Sequence, residues 1–401
     1  MKRRTYLTTI AFIITMSLIC NTTLLGQNKS KESADAGSSN KGNDAREAKE
    51  AREAEGSRAR TNSEGKEASR PSGNSTVSVA SGTFRYATSS RILQEMRQDS
   101  ANVNNATSPT GASMQANRLE AFVNSLPYSD NMRRLQNEMA ALTIELNQTD
   151  SAAQERQMLT SVADKSMQIQ SDPAYIQNVR MLAYDLFPEQ TSLSRLYRSA
   201  ILDSAGISTT SNAGASTSIV TAPPARNIDY SQLQPGDIML IRHPHALLIK
   251  TVIYALYYTH AGNYLGNQRI LESNEDGVRI KPLRDWQIKG ACVALGRNNK
   301  KTAADVKSAL EWAEGHYGSD GRTPYNYNYF DKQTDRKLYC SQLTWKIHQR
   351  LGIDLDSNDY HYLAFIGLKF GAVVALAARS AIAPDEIRYS SEVEFYSEGC
   401  N

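Results

Sequence analysis

The sequence predicts an α+β fold: an antiparallel sheet with flanking helices in the C-terminal part, preceded by a region of helices alone. Three observations carry this. Over residues 84–204 apolar side chains recur at helical spacing, as in "NMRRLQNEMAALTIELNQ". From Asp229 onward, short apolar runs such as "GDIMLIR" and "ACVALGR" alternate with turns and read as strands. Between the two lies "GISTTSNAGASTSIVTAPPARN", a linker by composition, assigned to 205–228.

The chain has 401 residues, room for one sizeable domain with extensions or for two modest ones. Its net charge of +3 is too small to argue for nucleic acid or a polybasic membrane patch, so no nucleic-acid partner is expected.

Taken in order, "MKRR" is a basic n-region and "TYLTTIAFIITMSLIC" an apolar h-region, followed by polar residues from Asn21. Residues 1–26 therefore read as a secretory signal peptide cleaved near Gly26–Gln27, the apolar run being short for a membrane anchor. Ile19 stands where a lipoprotein cleavage site needs a small residue, so lipid attachment at Cys20 is the lesser alternative. The protein is expected to be exported, to the periplasm, the cell envelope or the medium. Residues 27–83 mix both charge signs with Ser, Gly and Ala and read as a disordered tether. In the helical region Asp130 and Asp172 are start signals, with Pro173 at an allowed early position, and no ligand cluster stands out. The last domain, 229–401, reads as the strand "GDIMLIR", the helix "HALLIKTVIYALYY", the strands "THAGNYLG" and "RILESN" joined by a Gly-Asn turn, and the strand "ACVALGR". The helix "AADVKSALEWAEGHYG", a Tyr-rich loop and a helix opening at Cys340 follow. In that last helix Leu343, Ile347 and Leu351 recur every four residues and Gly352 sits at the C-terminal cap.

Four cysteines are present. Cleavage beyond Cys20 leaves Cys292, Cys340 and Cys400, an odd number, so at least one thiol is unpaired within the chain. A Cys292–Cys400 bridge is compatible with the sequence but cannot be deduced from it. Cys340, in the first turn of a helix, is the best candidate for a free thiol, and a helix N-terminus lowers a thiol pKa. A nucleophilic thiol also needs a base. Of six histidines, His348 lies too far round the Cys340 helix, His316 ends a helix, His361 follows the acidic "DLDSND", and His243 and His245 flank Pro244. His260 instead begins a strand of small residues, "HAGNY", and Glu272 lies 12 residues on in the next strand. An odd number of residues in the connecting turn puts both on one face, where the carboxylate would accept the Nδ1–H of His260. Singly, each residue also has a plain structural explanation. No Cys/His spacing suggests zinc, and no cofactor is expected.

Five blocks, "LQPGDIML", "YTHAGNYLG", "ILESNEDGV", "YNYNYF" and "YCSQLTWKIHQRLGIDLDSN", occur in that order. Together they resemble the bacterial YiiX/YaeF-like group, the circularly permuted branch of the NlpC-type papain-like amidohydrolases. The resemblance covers about residues 231–395, including "AIAPDEIRYSSEVEFY", and excludes the tether and the helical region. It implies a circularly permuted papain-like domain with the order His, acid, Cys: His260 as general base, Glu272 as orienting acid and Cys340 as nucleophile. Gln342 departs from it, standing where an acidic residue is common. Tyr325, Tyr327 and Tyr329 divide between core and substrate wall, and the resemblance favours the cleft edge; Tyr339 joins Tyr325 and Tyr327 as substrate-lining. The apolar stretch 363–379 is either a buried helix or helical hairpin covering the sheet, or a substrate wall suiting an acyl chain and a membrane surface. The expected activity is an exported cysteine hydrolase acting on an amide, peptide or acyl bond of a cell-wall peptide, acyl amide or lipid. A lipid acyltransferase or thioesterase, and a non-catalytic envelope binding or adaptor module, are the alternatives.

Overall fold

The computed structural model describes residues 79–401 apart from 102–108, 150, 190, 208–227 and 245–253. The expected signal peptide, nearly all of the tether, most of the linker and most of the helix expected over 245–258 lie outside the described residues. The chain first forms helices α1 (Val79–Ala101), α2 (Pro109–Ser125), α3 (Asp130–Leu146), α4 (Ala152–Gln170), α5 (Pro173–Leu186) and α6 (Ser192–Ser204). Helix α1 begins inside the stretch expected to be tether. The start of α3 is set one residue before Asp130, by Ser129, whose hydroxyl accepts the Met132 N–H at 2.9 Å. Asp172 caps α5 as anticipated, accepting the Ala174 N–H at 2.9 Å, with Pro173 at the first position. Met132, Leu135, Met139 and Leu146 fall on one face of α3, and all are buried.

The second part contains β1 (Ile238–Arg242), β2 (His260–Gly266), β3 (Arg269–Asn274), β4 (Gly277–Pro282), β5 (Cys292–Arg297), α7 (Ala303–Tyr317), α8 (Cys340–Arg350), α9 (Tyr360–Phe370), α10 (Ala372–Ala378), α11 (Pro384–Tyr389) and β6 (Glu394–Cys400). The six strands form one antiparallel sheet in the order β4-β3-β2-β1-β5-β6. Side chains of β1 alternate between two cores, Ile238 and Leu240 on one face, Met239 and Ile241 on the other. Helices α7 and α8 cover part of the sheet, where Leu310, Ala313, Leu343 and Ile347 meet Leu271 and Val278. Cys292 and Cys400, paired residues of β5 and β6, form a disulfide, and Cys340 is free and buried.

Residues Tyr254–Tyr258, expected to end a helix, are not helical: the N–H groups of 256–258 bond to the Asp385 carboxylate instead of to carbonyls one turn back. The stretch 363–379 does form two helices, but α9 and α10 pack among α1 to α5 and not over the sheet. Every residue of α9 is buried, as expected of a helix that is apolar all round. No residue of 363–379 is fully exposed, and Ala372, Val373, Leu376 and Ala377 of α10 are half-buried. Among the described residues no helix is long and apolar enough to cross a membrane.

The described residues all belong to one compact unit. The helical region is tied to the sheet domain by an ion pair of buried Glu155 with Lys337, by Asn328 donating to Asn147 at 3.0 Å, and by Tyr197 donating to Asp385 at 2.9 Å.

Candidate active site

Cys340 is the first residue of α8, and its placement follows from Gln342. The fully buried Gln342 amide accepts the Tyr339 N–H and the Asn326 side-chain N–H, both at 3.1 Å, and donates to the Thr334 carbonyl at 2.9 Å. A carboxylate would supply the two acceptors but not the donor, which accounts for glutamine where the resemblance leads one to expect an acid. Gly352, at φ 71°, closes the other end of the helix, its N–H meeting the Gln349 carbonyl while the Ile353 N–H meets that of His348.

His260 opens β2 and lines the same cleft as Cys340, near enough for imidazole and thiol to act on each other electrostatically. Asn263, further along β2, donates to Thr344 of α8 at 3.0 Å and fixes strand against helix. The β2–β3 turn is Asn267–Gln268, not Gly-Asn, with both residues at positive φ. Two turn residues alone would put His260 and Glu272 on opposite faces. A register shift between Tyr264 and Gly266 leaves Leu265 as the extra residue, and the parity is restored. Glu272 Oε2 then lies 3.1 Å from His260 Nε2. The expected contact was through Nδ1; the observed one takes Nε2 and leaves Nδ1 as the ring nitrogen for the thiol. Two further donors converge on the same carboxylate, Trp286 Nε1 at 2.8 Å and Asn274 Nδ2 at 2.9 Å. The Trp286 ring also lies against the imidazole, centroids 5.2 Å apart.

The electrostatics follow from these contacts. Burial opposes a charged His260, but the Glu272 carboxylate and the Cys340 thiolate outweigh it and push the imidazolium up to about 10. Burial raises the Cys340 thiol, but His260 and the backbone N–H groups of Ala261 and Ser341 carry it below the ordinary value. Burial likewise raises Glu272, and His260, Trp286 and Asn274 overcome it and hold the carboxyl low. All three shifts run toward a thiolate–imidazolium pair with an ionised partner behind it.

The three residues line a cleft of about 400 Å³. Asn274, Lys281 and Asp285 line it together with Tyr325, Tyr329, Tyr339 and Tyr362. Tyr327 is not part of it: its ring lies under the Arg156 guanidinium of α4, 5.0 Å away, and faces the helical region. The alternation that would align Tyr325, Tyr327 and Tyr329 is broken by Asn326 and Asn328, whose side chains accept the backbone N–H groups of Asn328 and Phe330. His243 lines the same cleft, and the remaining described histidines have their own settings. His348 bonds the Thr344 carbonyl, and burial lowers it to about 4; His361 pairs with Asp359; His316 stacks on Trp312. His245 lies outside the described residues. Trp286, Asn274 and Asp385 were not singled out from sequence, since their roles arise from distant segments meeting.

Residues 232–366 match a family model described as permuted papain-like amidase enzyme, YaeF/YiiX, C92 family. No curated protein and no solved structure matches the chain. The matched segment runs from the residues before β1 into α9 and holds His260, Glu272 and Cys340 in that order. It leaves the helical region and β6 outside. With helices α7 and α8 and five of the six strands of the antiparallel sheet, the part of the chain spanning 232–366 matches the permuted papain-like amidase family of the YaeF/YiiX kind.

Proposed function

We propose that the protein is an exported cysteine hydrolase that cleaves an amide or related acyl bond in an envelope or cell-wall substrate. The observation that carries this is the chain of contacts from the Cys340 thiol through His260 to Glu272 at the cleft. In the reaction, the Cys340 thiolate attacks the carbonyl carbon and a C–S bond forms. The Cys340 backbone N–H, at a helix N-terminus, stabilises the oxyanion. The His260 imidazolium gives its proton to the leaving amine as the C–N bond breaks. A water then attacks the acyl-enzyme, His260 takes its proton, and the acid and the thiolate separate. Glu272 stays ionised throughout and holds the ring so that the other nitrogen meets the thiol. Export is supported by the n-region and h-region of the first 26 residues and by the Cys292–Cys400 disulfide, a bond that persists in oxidising compartments.

The test needs no known substrate. Iodoacetamide alkylation of Cys340 is followed against pH in the native chain and in His260→Ala. An isolated thiol titrates near about pH 8.5, whereas an ion-paired one reacts several units lower. Alkylation that persists at about pH 5–6 and is lost in His260→Ala supports the reading. An inert thiol, or titration near about 8.5 in both proteins, removes it.

A further inference from the structure

The residues leading into His260 are held in an unusual way. The N–H groups of three consecutive residues converge on one carboxylate. Leu256 donates to Asp385 Oδ2 at 2.8 Å, Tyr258 to Oδ1 at 2.9 Å, and Tyr257 to both oxygens at 3.1 and 3.2 Å. Tyr197 adds a fourth donor, its hydroxyl reaching Oδ1 at 2.9 Å. Asp385 and Tyr197 are both 0% exposed. A carboxylate so deeply buried is tolerated only when its lone pairs are satisfied, and these four groups do so. Burial pushes the Asp385 carboxyl up, and the same donors offset only part of the rise.

The two ends of this arrangement matter for the site. Thr259, the next residue, is bound through its N–H and its hydroxyl to the Ile241 carbonyl of β1, at 2.9 and 3.1 Å. His260 follows directly. Tyr197 belongs to α6 of the helical region, where its ring stacks on Tyr389 and meets Tyr257 edge-on. Asp385 lies in α11, so neither residue falls in the segment 232–366.

We infer that Asp385, tied to Tyr197, is a positioning residue: it fixes the backbone of 256–258 so that His260 enters β2 between the Cys340 thiol and Glu272. The helical region thereby becomes a working part of the active site and not an appended module. This rests on the reading of His260 as the acid and base of the reaction. Neither residue touches the reacting atoms, so the effect passes through the geometry of His260.

The full chain tests this with Asp385→Asn and Tyr197→Phe. Two quantities are read: hydrogen-exchange protection of the amides at 256–258, and the rate of Cys340 alkylation at low pH. Asp385→Asn turns an NH2 group toward backbone donors, so protection at 256–258 falls. The low-pH alkylation rate drops roughly ten- to a hundredfold, a misplacement on the order of 1 Å costing about a hundredfold. Tyr197→Phe keeps the ring and removes one donor, and moves both quantities in the same direction by less. If both variants fold and lose protection at 256–258 yet keep the native low-pH rate, the inference is overturned while the thiolate–imidazolium reading stands. If the native chain has no low-pH reactivity, that reading falls and takes this one with it. Should Asp385→Asn fail to fold, Tyr197→Phe decides alone: native protection and native rate in that variant overturn the link to the helical region.

Discussion

Replacing Glu272 by Gln removes one charge and almost no volume, and its effect can be worked from the contacts. The carboxylate oxygen stands 3.1 Å from His260 Nε2. At an effective dielectric of about 20, that separation corresponds to about 5 kcal/mol of attraction. The His260 side chain is 24% exposed, so water screens part of it. Opposite charges at such distances shift a pKa by about 1–3 units, or about 1.4–4 kcal/mol, and the lower half of that range is expected here. Three donors converge on Glu272, from His260, Trp286 and Asn274. The glutamine amide of the variant offers a single oxygen, and its NH2 group must face one of those donors. The imidazolium, held up to about 10 by Glu272 and the thiolate, loses its proton at lower pH in the variant. The thiol is held low by the His260 charge, which is still present at acid pH in the variant, so the acid edge does not rise. The pH window of the ion pair therefore narrows from the alkaline edge, and the apparent values belong to the pair. Alkylation rates give the acid edge, and an NMR titration of the His260 ring gives the alkaline edge. A variant whose alkaline edge coincides with that of the native protein would refute the assignment of Glu272 as the group that stabilises the imidazolium.

Two further outcomes follow from local geometry. A Cβ at Gly262 would lie 2.8 Å from both Ile270 Cγ2 and Trp286 Cζ2. Gly262→Ala should lower stability by about 1–3 kcal/mol and weaken low-pH alkylation by pushing Trp286 off Glu272; unchanged urea unfolding and alkylation would contradict this. Lys369 sits in wholly buried α9 over the Phe370 ring, and burial lowers its ammonium to about 7. Between that value and about 10.4 in the unfolded chain, only the unfolded state holds the proton, so this group's contribution to stability rises with pH across the window and is flat below it. Lys369→Met should therefore gain more stability at pH 7 than at pH 10, by up to a few kcal/mol at about 1.4 kcal/mol per pKa unit; urea unfolding with equal gains at both pH values would contradict it.

Much of the domain's plan was legible because it is written in short-range signals. Helix caps read directly, as at Asp172, Pro173 and Gly352, and so did the thiol at the head of α8. The order of His260, Glu272 and Cys340 is a property of the chain alone. Strand alternation predicted β1, β2, β3 and β5, but could not say which face each presents, since one extra residue reverses it. That residue is Leu265, and its bulge brings Glu272 to the histidine. Contacts between distant segments were silent for the same reason. The Cys292–Cys400 disulfide needs β5 beside β6, and the hold of Trp286 on Glu272 needs the turn after β4 folded back over the sheet. Tyr327 looks like its neighbours Tyr325 and Tyr329 until two asparagine turns aim it at Arg156. The apolar run 363–379 announced that it would be buried, because a helix with no polar face must be. Its partners, helices α1 to α5, were decided by the fold, since hydrophobic burial is non-directional and any apolar surface of matching shape would have served.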